Sequence, residues 1–422
     1  MKKIISVLLC ITLILVSFSA CGGNPVPIPS KTIAKNLIND VSPKTVEKSN
    51  DLTEGNKAFY DFKVSLFKEN QVNGDNVLIS PLSLLCALSM TANGAENDTL
   101  KEMEDVFGLS AEDMNKYLYS YINSLEQGEK FSLKLANSLW ITNDETFKVD
   151  NDFLQINADY HNPQIYSVDF NSKDTVKDMN NWVKDNTDGM IPSIIDEPLP
   201  KATLMCLMNA LAFEAEWANI YDDYSVREGN FYPYDLTVQN VDFMYGEEYK
   251  YLCDDDSTGF LKYYAGSKYA FVAVLPNEET PLDEYIKNLT GEKISRLLNS
   301  VKNEKVLTKI PKFEYDYTAD ITEMLMNMGI KTAFDGNNAD LTGIGTWEQG
   351  NLYISKVLHK TYISVAEKGT KAGAVTAVIT NGSTAMPEKP HEVYLDRPFV
   401  YMIIDCENNV PFFIGTVTDV EG

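Results

Sequence analysis

The chain has 422 residues, 44% hydrophobic and 23% charged, with 23 Gly and 17 Pro. This is a globular composition that excludes disordered, collagen-like and repeat-array chains. Its 36 Lys and Arg against 61 Asp and Glu leave a net charge of −25, so nucleic acid and anionic surfaces would repel it and polyanion binding is excluded.

In chain order, Lys2-Lys3 precede an apolar run over residues 4–18, followed by Ser19-Ala20-Cys21-Gly22-Gly23. A positive start, a short apolar stretch and small residues before a cut site predict a secretory signal over residues 1–20. The run is too short for an ordinary membrane-spanning helix. Cys21 directly after Ser-Ala is similar to the bacterial lipobox, which implies lipidation at Cys21 and a cell-surface anchor. Plain secretion is the alternative, because Phe18 stands where Leu is usual. Residues 21–50, rich in Pro, Ser, Lys and Asn, read as a flexible tether, and residues 51–422 as a single domain.

Ala58, Phe59, Phe62, Leu66 and Phe67 are spaced for one buried helix face. Residues 76–79 predict a strand running into a helix that starts near Pro81 and continues to about Ala95, with Pro at its start and Ser nearby to cap it. Further strands are expected at 133–136, 139–141, 203–213, 269–275, 306–310, 351–365 and 400–404. Helices early and strands late make the class α+β.

Chemistry is sparse. Of six cysteines, Cys10 leaves with the signal and Cys21 with its lipid. Cys86 and Cys206 sit in apolar runs as small buried hydrophobes, and neither they nor Cys253 and Cys406 are spaced for zinc or for a disulfide framework. The three histidines, His161, His359 and His391, accompany no GxSxG elbow, HExxH, Walker loop or GxGxxG. No catalytic residues, metal or cofactor are expected, and a binding or inhibitory device is the remaining class.

Six ordered segments then carry a resemblance over residues 52–420. They are Ile79-Ser80-Pro81-Leu82-Ser83; Asn209-Ala210-Leu211-Ala212-Phe213-Glu214-Ala215-Glu216-Trp217; Leu341-Thr342-Gly343-Ile344; Lys356-Val357-Leu358-His359-Lys360; Asp396-Arg397-Pro398-Phe399; and Phe412-Phe413-Ile414-Gly415. They resemble, in order and spacing, the motifs of serpins, the serine protease inhibitor family. The resemblance implies a fold of helices around three mostly antiparallel sheets with an exposed reactive-centre loop, here residues 367–397. It also implies a shutter of Ser80, Ser83, Asn209 and His359 beneath the central sheet, and a breach tryptophan, Trp217, at its top. Ala212, Glu214 and Ala215 depart from the family's Tyr, Lys and Gly.

The loop has its own pattern. Thr370, Ala372, Ala374, Thr376, Val378 and Thr380 are all small or β-branched at every second position, and no Pro occurs before Pro387. A period-two strand with a compact face is what insertion into a sheet requires. Glu367, Gly369, Thr370, Ala372, Gly373 and Ala374 form the hinge. Counting as the family does puts the scissile bond at Ser383-Thr384, with Gly382-Ser383 and Ala385-Met386 as alternatives. Fourteen extended residues at roughly 3.3 Å each reach about 46 Å.

The resemblance therefore implies a suicide substrate. A target protease would acylate the loop and be trapped covalently as the cut loop inserts. Small or neutral residues around the bond disfavour a trypsin-like target and favour an elastase- or subtilisin-like serine protease, with a cysteine protease as a second possible partner. The region matching the family's heparin helix, residues 114–131, carries Lys116 and Lys130 among acids, so heparin is not expected to bind. A monomer is expected, touching membrane only through its lipid. The competing readings are a non-inhibitory serpin cleaved as a plain substrate and, further off, a hydrolase.

Overall fold

The computed structural model describes residues 34–70, 74–234, 237–370 and 389–420. The signal, Cys21, and the loop positions Ala372, Gly373, Ala374, Gly382, Ser383, Thr384, Ala385 and Met386 lie outside the described residues.

Helix α1 (Thr53–Glu69) carries the expected face, with Phe59, Phe62, Leu66 and Phe67 all buried. Strand β2 (Val77–Ile79) feeds α2 (Pro81–Ala92), where the Ser80 side chain accepts from the Ser83 N–H and Pro81 opens the first turn. Every residue of α2 is buried, as befits a helix apolar on all sides at the centre of a domain. Helix α1 packs against α2, as do α3 (Asn97–Phe107), α4 (Ala111–Ile122) and α5 (Asn151–His161), and the domain further holds α6 (Lys173–Asn186), α7 (Leu282–Lys287), α8 (Gly291–Asn299) and α9 (Thr322–Met328).

The central sheet runs in the order β1 (Lys35–Asn36), β5 (Gln164–Val168), β3 (Phe131–Thr142), β6 (Met205–Glu216), β16 (Gly369–Thr370), β15 (Lys356–Ala366) and β13 (Phe313–Asp320). A second sheet orders β2, β19 (Val410–Val417), β18 (Phe399–Asp405), β11 (Tyr269–Pro276), β10 (Ser257–Tyr263) and β9 (Tyr251–Cys253). A third orders β17 (His391–Tyr394), β12 (Val306–Pro311), β8 (Gln239–Glu248) and β7 (Val226–Phe231). A two-stranded sheet of β4 (Phe147–Val149) and β14 (Gly345–Trp347) completes the described set. The α+β class and the three expected large sheets are thus present. The middle of the central sheet is buried on both faces: α2 lies against one, and Met179, Trp182 and Val183 of α6 cover Trp140, Tyr166, Met208 and Leu358 on the other, while the edge strand β13 keeps one face exposed.

Two expectations need correction. Residues 133–136 and 139–141 form one strand, β3, because both members of the polar pair between them find partners: Ser138 Oγ accepts from the Trp140 indole N–H at 2.8 Å, and Asn137 turns its amide to the Ser83 carbonyl of α2. Residues 34–50 are docked rather than free. Lys35 and Asn36 pair with Ser167 and Tyr166, the Leu37 N–H donates to the Ile165 carbonyl at 2.7 Å, and the Lys44 N–H donates to Asp159 Oδ1 at 2.6 Å. An edge strand offers unpaired backbone groups to any nearby chain, and three apolar side chains, Leu37, Ile38 and Val41, suffice to seat this one on the core.

Candidate functional site

β6 and β15 lie side by side as a parallel pair from Cys206 and Lys356 up to Leu211 and Thr361. There the direct pairing ends, and β16 pairs antiparallel with both strands higher up. Thr370 stands opposite Ala215 and Val365, and Gly369 opposite Glu216 and Ala366. Gly369 and Thr370 of the hinge are therefore already a strand of the sheet, joined to β15 through the turn at Glu367 and Lys368. Gly369 has φ +154°, and a Cβ there would lie 2.0 Å from the Ala215 carbonyl oxygen. Only glycine fits between two backbones at this height. Thr370 is buried, and its hydroxyl meets the Tyr264 hydroxyl at 2.6 Å, so its side chain faces the core.

The turn is held from outside. The Trp217 indole N–H donates to the Ala366 carbonyl at 2.9 Å, the Trp217 N–H to the Lys368 carbonyl at 2.8 Å and the Tyr221 N–H to the Glu367 carbonyl at 2.9 Å. The Trp217 ring stacks on Tyr264, centroids 4.5 Å apart. Lys312 pairs with Glu367 at 2.8 Å. Partial burial works against the Glu367 carboxylate, but Lys312 and a backbone N–H outweigh it and keep its pKa below the usual value.

Midway down the parallel ladder, His359 pairs with Asn209, and both are buried. His359 Nε2 accepts from the Ser80 backbone N–H at 3.1 Å, so Nδ1 carries the proton and donates to Asn209 Oδ1. The Ser83 hydroxyl donates to the same oxygen at 3.0 Å. Burial holds the imidazole neutral, its pKa drawn down to about 3. The Asn209 side-chain N–H₂ is buried with no partner, a costly condition in an otherwise satisfied network. The four sequence-derived shutter residues thus meet in one cluster where β6 and β15 adjoin.

Sequence reading missed Asn137, Tyr264 and Lys312. Asn137 is paired in register with Asn209 and, with its amide turned toward α2, donates to the Ser83 carbonyl at 2.8 Å. The available signal was a polar residue inside an apolar strand. Tyr264 and Lys312 carried no local signal, since their partners lie far away in sequence. Among the described residues Cys86, Cys206, Cys253 and Cys406 are unbridged. The three histidines engage Asn115, the Ser80 backbone N–H together with Asn209, and Glu304.

The family model described as Serpin (serine protease inhibitor) matches residues 57–420. An uncharacterised serpin-like protein of Thermococcus kodakarensis is 30% identical, with 96% of this chain and 97% of the relative covered. Intracellular coagulation inhibitor 2 of Tachypleus tridentatus is also 30% identical, over 86% of this chain and 90% of its own. Among solved structures, the native state of the thermophilic serpin tengpin superposes with a TM-score of 0.88 at 44% identity, covering 92% of this chain and 99% of that one. The latent state of the same protein superposes less closely, at 0.78 with 45% identity, over 88% and 99%.

Proposed function

The chain belongs to the serpin family, and from that premise we propose that it acts as a suicide inhibitor of an elastase- or subtilisin-like serine protease. The observation that carries this reading is β16, a hinge already paired between β6 and β15 and continuous with a loop of small alternating residues.

Continued in the same register, the loop would set Ala372 between Phe213 and Ile363, Ala374 between Leu211 and Thr361, Thr376 between Asn209 and His359, and Thr380 between Met205 and Ser355. Thr370 faces the core, so this even-numbered set would too. The Thr376 hydroxyl would then meet the unpartnered Asn209 N–H₂. β6 begins at Met205, so the slot ends at Thr380, which supports a scissile bond a few residues beyond, at Ser383-Thr384.

In the reaction the protease serine oxygen attacks the Ser383 carbonyl carbon. The C–N bond to Thr384 breaks, the Thr384 amine leaves with a proton as a new N-terminus, and Ser383 remains as an ester on the protease. The freed strand then divides the parallel β6–β15 ladder and replaces it with two antiparallel ladders, the slightly more stable pairing per residue. Before cleavage the loop is tied at both ends and this gain is withheld. The signal and Cys21 support action outside the cell, on a surface anchor or as a secreted monomer.

The test is to mix the mature protein with elastase and with subtilisin, then resolve the products under denaturing, reducing conditions with mass spectrometry. A covalent complex at the summed mass and a released peptide beginning at Thr384 are expected. Complete loop cleavage by both proteases with full protease activity left would refute the reading.

A further inference from the structure

Beyond β6 the segment 217–221 is irregular, yet it supplies the three donors to the carbonyls of the hinge turn. Consecutive residues of one neighbouring stretch fix it. Tyr264 pairs with Trp217, the Tyr263 carbonyl accepts from the Ala218 N–H at 2.9 Å, and Lys262 Nζ donates to the Asn219 carbonyl at 3.1 Å. The first two contacts are ordinary backbone pairing and stacking. The third is a buried lysine, only 3% exposed in its side chain, which also pairs with the buried Glu248 at 2.9 Å. Its ammonium sits 4.3 Å from the Tyr221 ring centroid and 5.2 Å from that of Trp217. A carbonyl, a carboxylate and two aromatic faces therefore surround one ammonium, and both rings belong to the segment that grips the hinge.

A buried ion pair is a weak device for stability, since apolar residues of similar volume often do as well. What an apolar residue cannot do here is donate to the Asn219 carbonyl. We propose that the Lys262–Glu248 pair is a positioning device for the hinge: it sets residues 217–221 so that Trp217 and Tyr221 hold the turn carbonyls of Ala366, Glu367 and Lys368 in the hairpin from which the inserted strand grows. Its consequence for trapping rests on the inhibitory reading above; the positioning itself does not. With the hairpin held, each new loop residue adds to an existing ladder. With it loosened, insertion starts more slowly and deacylation gains on it.

The experiment compares the full mature protein with two double variants that leave no charge buried alone, Lys262→Met with Glu248→Leu, and the milder Lys262→Met with Glu248→Gln should the first not fold. Three quantities are read: the thermal midpoint, amide hydrogen exchange at Trp217 and Tyr221, and the number of inhibitor molecules consumed per protease trapped. The midpoint is expected to stay within a few degrees, the two amides to exchange at least about tenfold faster, and the number consumed to rise severalfold. Wild-type protection of both amides in a folded variant overturns the proposal. Faster exchange with an unchanged number consumed overturns the link to insertion. Faster exchange in a protein whose wild type traps no protease upholds the positioning role and removes the inhibitory reading instead.

Discussion

His359 is held neutral by burial, with its pKa near 3, whereas an unfolded histidine titrates near 6.5. The unfolded chain thus takes up this proton first as pH falls. The contribution is fully present above about pH 6.5 and is lost progressively down to about pH 3, which amounts to about 2 kcal/mol at pH 5. A His359→Gln variant is expected to be about 1–3 kcal/mol less stable at pH 7, because the Ser80 N–H and Asn209 oxygen lose a partner. Its stability should also depend less steeply on pH between 7 and 5, as urea unfolding at both values would register; an unchanged slope would mean the imidazole is not buried neutral. Gly369→Ala places a methyl against the Ala215 carbonyl and should expel the hinge from the sheet. Native stability should barely change, since β16 has two residues, while gel densitometry should shift from complex to cleaved inhibitor. Ser80, Ser83, Asn209, His359 and Trp217 were legible in sequence because they sit inside ordered motifs. Tyr264 and Lys312 were not, because only the register of distant strands brings them to the hinge.

Among elements, the strands with continuous apolar runs were legible, and their ends shifted by a few residues, as in β6 and β15. The edge strand β13 escaped notice because its alternating charged face, Glu314, Asp316 and Asp320, gives little apolar signal. Residues 34–50 escaped for a related reason: polar composition masks a segment held by backbone hydrogen bonds and only three apolar side chains. Deleting them should cost a few kcal/mol, given several lost backbone hydrogen bonds at about 1 kcal/mol each. The thermal midpoint should fall, and the amides of β5 should exchange faster because the strand becomes an open edge. An unchanged midpoint would show that the docked segment contributes nothing to the fold.

At the scale of the whole molecule, the parallel β6–β15 pair is where the proposed insertion would act, and the parts of the site lie along it. Hinge turn, breach tryptophan and shutter occupy successive levels of one seam. Continued in the register of β16, the even-numbered loop residues would face the core along this seam, as Thr370 does. Insertion of about ten loop residues, each gaining roughly 1 kcal/mol in ladder hydrogen bonds, would add on the order of 10 kcal/mol. For a domain of this size that corresponds to an upward shift of about 10 °C or more in the unfolding midpoint. The most direct measurement is therefore thermal unfolding of the protein before and after a single cut in the loop by a non-target protease. The account predicts that the cleaved form melts at least about 10 °C higher than the intact form. Equal midpoints for the two forms would contradict it, because a loop that gains nothing on entering the sheet cannot drive the trapping of a protease.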